Sequence, residues 1–217
     1  MFCAAVLILL AWCASAQPAG MVGTLQWYAN RAKSGGQTSY AFGPDEGKFD
    51  YTPKLEEIVK SYLLVDGVVE STFVYALNNS THIETWYKIR VLSRGQEPSI
   101  IMPASAKMKM AIPEQLGIFD SDEVALCEFG GSAVIDGVSL TARGEPPLIM
   151  GKRYLFFLDS TAVSNAYTNG SVTRPVLVDE NGTIQHPSKK TTYLRSIDGF
   201  RDLDELKRYV RQVVQQH

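Results

Sequence analysis

The β-favouring residues of the chain fall in short runs separated by glycines and polar turns, while two segments carry helical spacing instead. From Leu63 to Leu77 the residues Val65, Val68, Val69, Thr72, Phe73, Val74 and Tyr75 predict one long strand. Gly67 in its interior predicts a bulge or sharp bend, and a bent strand of that length can serve two sheet edges. Asn78-Asn79-Ser80-Thr81 reads as a polar turn, after which Thr85, Tyr87, Ile89 and Val91 alternate with Glu84, Trp86, Lys88 and Arg90. This pattern predicts a hairpin with one wet face. Val124 to Phe129 predicts another strand, ended by Gly130-Gly131, and Asp136-Gly137 between β-prone residues predicts a type I′ hairpin. Pro146-Pro147 and Gly151-Lys152 bracket a loop into Arg153 to Leu158, an apolar run suited to a buried central strand. Asn169-Gly170 and Asn181-Gly182 supply two further turns. Short strands at near-even spacing with such turns predict a barrel or a sandwich.

Helical spacing appears at Leu55, Ile58, Val59 and Tyr62, with Thr52 as cap, Pro53 in the first helical position, and Glu56 and Glu57 where the helix dipole favours them. It appears again at Leu203, Leu206, Val210, Val213 and Val214, with Asp202 as cap and Glu205 three residues on. Lys207, Arg208 and Arg211 fall on the opposite face, and the helix is placed to cover an open edge or end of the sheet. Gln17 to Asp50, rich in glycine, reads as an irregular lead-in in which Leu25-Gln26-Trp27-Tyr28 packs locally. Ser99 to Met102 suggests a short strand, and Pro103 to Ser121 an insertion between strands.

Composition adds an address. The chain has 217 residues, 45% hydrophobic, with a net charge of -2, which suits one globular domain with a modest extension and gives a phosphate backbone nothing to seek. Phe2 to Trp12 has the length of a signal-peptide core and is followed by Ala14-Ser15-Ala16, so cleavage is expected between Ala16 and Gln17, in a secreted or periplasmic protein. No lysine or arginine stands between Met1 and this run. The run is shorter than the roughly 20 residues a spanning helix needs. Trp12 sits where lipid attachment at Cys13 would require a small residue. Cys3 and Cys13 leave with the leader, so the mature chain keeps Cys127 alone and forms no internal disulfide. The divisions are 1–16 signal peptide, 17–51 lead-in, 52–186 β domain, and 187–217 linker and C-terminal helix.

The chemistry-bearing residues form no recognisable catalytic or metal set. His82 lies in a polar turn, His186 in a loop and His217 at the terminus, none beside a nucleophile elbow. Cys127, between Leu126 and Glu128 on a predicted strand, reads as a buried small hydrophobe. Asp120, Asp122 and Glu123 lack the glycine and spacing of a calcium loop, and Glu145 beside Arg143 reads as a surface pair. Met102, Met108 and Met110 offer soft ligands for Cu(I) but read as packing. Trp86, Lys88 and Arg90 on the wet face give a thin version of an oligonucleotide- or sugar-binding strand. Asn78 to Thr81 overlaps two glycosylation sequons.

Leu55-Glu56-Glu57-Ile58-Val59, Asp66-Gly67-Val68-Val69, Val91-Leu92-Ser93-Arg94-Gly95, Gly130-Gly131, Gly137-Val138 and Gly151 to Leu158 together resemble a family of uncharacterised exported bacterial proteins, similar in turn to the OB-type barrels of the netrin and tissue-inhibitor group. The resemblance spans about Pro53 to Gln185 and implies an OB-like, partly open antiparallel barrel with one short N-terminal helix and one C-terminal amphipathic helix. It brings no catalytic residue, and the paired cysteines of the netrin pattern are missing. The expectation is an exported non-enzymatic β module with an unknown protein or envelope partner, no nucleic acid, no span in the mature form, and no catalytic, cofactor or metal residue. The alternatives are a hydrolase using loop-borne Asp122, Glu145, His82 or His186, and a protease-inhibitor-like protein presenting its N-terminal segment. N-terminal sequencing of the exported protein is expected to begin at Gln17; a first residue within the apolar run would contradict cleavage after Ala16.

Overall fold

The computed structural model describes residues 22–43, 54–94, 111–143, 147–160, 166–169, 174–186 and 195–216. The chain is mainly β, with nine strands in two sheets and three α-helices among these residues. Helix α1 (Leu25–Ser34) occupies part of the stretch read as irregular. Its buried positions Leu25, Ala29 and Ala32 are spaced four and three apart, a helical face made mostly of alanine and thus easily passed over. Thr24 caps it by accepting from Trp27 N, while the N–H groups of Leu25 and Gln26 donate to the carbonyls of Ser80 and Asn78. Tyr28 stacks on Tyr40 and Phe42, which docks the helix onto the small sheet.

Strand β1 (Ser39–Phe42) runs beside Val138–Ala142, itself beside Gly131–Ile135, in a small three-stranded sheet, and helix α2 (Leu55–Ser61) precedes β2 (Leu63–Tyr75) and β3 (Glu84–Arg94). A single 3-10 turn at Glu114–Leu116 leads to β4 (Glu123–Phe129), followed by β5 (Gly131–Ile135), β6 (Val138–Ala142), β7 (Arg153–Ser160), β8 (Ala166–Asn169), β9 (Val176–Val178) and helix α3 (Leu203–Gln215). The β5–β6 turn is the anticipated Asp-Gly one, with positive φ at both Asp136 and Gly137.

The larger sheet runs β2-β3-β4-β8-β7-β9, and β2 also pairs with β7, so the pairings close into a ring. All neighbours are antiparallel except β4 and β8. The long strand serves two edges, as its length and Gly67 suggest: Leu63 to Val68 face β7, while Val65 to Tyr75 pair with β3. A register shift falls between Asp66 and Gly67, as expected of the bulge. Leu63, Val65, Val69, Tyr87, Ile89, Val124, Leu126, Phe156 and Leu158 make one core within the ring. On its other side Leu64, Leu155, Phe157 and Val176 pack under α2 and α3 against Leu55, Ile58, Leu206 and Val210. Among the described residues no helix is long and apolar enough to cross a membrane.

Gly67 is required by contact. A Cβ there would lie 2.6 Å from Ile89 Cγ2 and 2.9 Å from the Arg90 carbonyl oxygen. Gly67→Ala is expected to cost about 2 kcal/mol in urea unfolding, within the range for overpacking. Gly199→Ala, at a position with open space around it, should leave the midpoint unchanged; equal effects would remove the packing explanation.

Candidate functional site

The strongest electrostatic feature begins with a single acid in an apolar strand. Along β2 the alternation turns Leu63 and Val65 into the ring and Leu64 and Asp66 outward beneath α3. Asp66 is only 1% exposed. Arg153, at the start of β7, grips it with both prongs, Nε donating to Oδ1 at 2.7 Å and Nη2 to Oδ2 at 2.9 Å. Lys207 Nζ donates to Oδ2 at 2.7 Å from α3. Burial pushes the Asp66 carboxyl up, but the bonds from Arg153 and Lys207 outweigh it and hold it below the usual carboxylate range. The bond to Asp66 in turn raises the Arg153 guanidinium. Lys207 therefore does not belong to the solvent face assigned to it from the helical pattern; it is buried, while Arg208 and Arg211 are exposed. The cluster ties β2, β7 and α3 together around a carboxylate that is itself buried.

The face of β3 expected to be wet is covered over Trp86 and Lys88, while Arg90 stays 46% exposed. Trp86 is 1% exposed and packs with Leu116, Ala125, Cys127 and Ala166, partly roofed by Ile112 and Phe119 from the segment before β4. Lys88 Nζ reaches Glu123 Oε2 at 2.7 Å and donates to the Ile118 carbonyl at 2.9 Å. Arg90 Nε donates to Glu70 Oε1 at 2.6 Å. With Trp86 buried, Lys88 mostly covered and Arg90 paired with Glu70, the strand lacks an exposed aromatic interleaved with its basic residues, the surface that a nucleic acid or sugar strand requires.

At the far end of the same ladder the cover stops. Glu84 stands directly between Tyr75 on β2 and Phe129 on β4, and directly opposed residues share a face. Tyr75 and Phe129 are 40% and 55% exposed. His82 meets Phe129 edge-on, with ring centroids 4.8 Å apart, and its Nε2 lies 3.2 Å from Glu84 Oε1. The Trp86 indole N–H donates to Glu84 Oε2 at 3.0 Å. Residue types alone gave no warning of this corner, although strand register, once known, dictates it.

The remaining candidates stand apart. Cys127 is buried as expected, and burial, then the charges of Glu84 and Glu128, push its thiol far up, away from reactivity. Glu123 is buried, pairs with Lys88 and accepts from Asp120 N, so its carboxylate is engaged within the fold. His186 lies after β9, with Nε2 2.7 Å from the Phe200 carbonyl. Asp122 and His82 mark opposite ends of the β3–β4 ladder. Among the described residues no group of three or more His, Cys, Asp or Glu is placed to hold a metal. Glu145, His217, Met102, Met108, Met110, Thr52 and Pro53 lie outside the described residues. Compared with known proteins, the chain matches no family model and no curated sequence.

Asp66→Asn keeps the shape but removes the charge that holds two cations, and it is expected to cost about 3 kcal/mol in urea unfolding at neutral pH. Asp66→Leu combined with Lys207→Met should recover much of that loss, because no buried lysine is left unpaired. The folded protein binds the Asp66 proton more weakly than the unfolded chain, so its contribution is full above the ordinary value of 3.8 and is lost as pH falls below it. Acid should therefore destabilise the parent more steeply than Asp66→Asn; parallel pH profiles would contradict this role.

Proposed function

We propose that the chain is an exported, non-enzymatic module built on an OB-type β-barrel and acting through protein or envelope contacts. The observation that carries the reading is the closed cycle β2-β3-β4-β8-β7, five strands around a core of aliphatic and aromatic side chains, which is what a five-stranded barrel of this type requires. The bulged β2, bonded on both edges, supports closure, since a bulge is the usual device for bending a strand from one partner to another. Helices α2 and α3 pack over one outer side.

Action by contact is favoured over turnover by where the reactive groups are spent. The thiol is in the core, the central carboxylate is bound by two cations, and His82, His186 and Asp122 serve three separate places. Export rests on the apolar run Phe2 to Trp12 and the small-residue pattern Ala14 to Ala16.

Fractionation of the producing cell is expected to find the protein outside the cytoplasm, and deletion of residues 2–16 to retain it inside. Purified protein should leave a panel of ester, peptide and glycoside substrates untouched. Hydrolysis that persists through repurification would overturn the non-enzymatic reading.

A further inference from the structure

Resting on that reading of a contact module, we propose that the Tyr75–Glu84–Phe129 corner is the docking point for a basic side chain, arginine or lysine, presented by a partner protein. The charge of the corner sits on Glu84. One carboxylate oxygen meets the His82 ring and the other accepts the Trp86 indole N–H, so the group is oriented by an imidazole and an indole. Among the described residues no lysine or arginine forms an ion pair with it, unlike Asp66, Glu70 and Glu123 on the same strands. The two rings beside it are half open to solvent, and the negative face of an aromatic ring attracts a cation. A guanidinium stacks on such rings and bonds a carboxylate through its planar fork, which makes arginine the better fit of the two.

Other occupants fit less well. An apolar segment laid over the rings would bury the Glu84 carboxylate without a counter-charge, which is costly. A phosphate-bearing chain would meet like charge. A neutral sugar can stack on the rings and is separated from a cation by experiment.

The Trp86 indole N–H, bonded to Glu84, is a built-in reporter. The 15N-labelled protein, its indole signal assigned with Trp86→Phe, is titrated with a blocked peptide of three Gly-Arg repeats and with the same peptide carrying citrulline, which keeps the shape and loses the charge. A saturable indole shift is expected with the arginine peptide, about tenfold weaker with citrulline and in Glu84→Gln, and weakened by added salt. Tyr75→Ala and Phe129→Ala, both at exposed positions, should weaken it several-fold while leaving the thermal midpoint near that of the parent. An absent response, equal affinity for the two peptides, undiminished affinity in Glu84→Gln, or a response to a neutral hexasaccharide alone would each overturn the proposal. None of these outcomes alters turnover of the substrate panel, so this assignment and the non-enzymatic reading fail separately.

Discussion

The Asp66 carboxylate, enclosed by protein and held by two cations, is the interaction that joins the parts of this fold. Its partners are remote in sequence, 87 residues away at Arg153 and 141 residues away at Lys207, and they belong to β7 and α3. Hydrophobic contact between α3 and the sheet supplies most of the attraction, but it is non-directional and tolerates sliding. A carboxylate with fixed donors on two sides is directional, and it is satisfied at one placement of the helix. Removing Asp66 strands the buried Lys207 without a counter-charge, so the cluster penalises partial docking more than it rewards full docking.

A steric constraint sits one residue further along. Gly67 lets β3 approach β2 so closely that a side chain would strike the Ile89 methyl and the Arg90 carbonyl. The register shift there lets one strand bond to β7 over its first half and continue beside β3 over its second. Asp66 and Gly67 thus divide the work: one fixes what lies over the strand, the other what lies beside it. The third close approach is at Gly131, where a Cβ would meet Thr85 Oγ1 at 2.5 Å, the hydroxyl that donates to the Gly130 carbonyl. There the chain leaves the ring for the small sheet.

Much of this frame is legible in the sequence because it is local. Runs of β-favouring and apolar residues mark β2 and β7, alternation marks β3, the Asp-Gly pair marks its hairpin, and Asp202 caps α3 through the N–H groups of Asp204 and Glu205. What escaped local reasoning depends on tertiary cover. Trp86, Lys88 and Arg90 alternate as a solvent face should, yet residues 112–119 and the acids Glu70 and Glu123 occupy that face. Lys207 looked solvated because lysine usually is, although it lies four residues after Leu203 and three before Val210 and so shares their side of the helix. A lone aspartate in the run Leu63-Leu64-Val65-Asp66-Gly67-Val68-Val69 was the matching signal. Neither residue named the other, because nothing in one sequence pairs positions so far apart.

Asp66 and Glu84 show how the same functional group takes opposite roles on one sheet. Asp66 lies beneath a helix, where a carboxylate survives only with charged donors, and once it has two there is no charge left to present. Glu84 lies at the end of the β3 ladder, 22% exposed, and the His82 ring and the Trp86 indole N–H fix its direction. Those two rings orient the group, and the flanking rings of Tyr75 and Phe129 lower the local dielectric without covering it. An attraction of moderate strength in water becomes stronger in such a setting once a cation displaces that water. Burial with charged partners makes one acid architectural; partial exposure, with no lysine or arginine paired to it among the described residues, leaves the other able to recognise something outside the molecule.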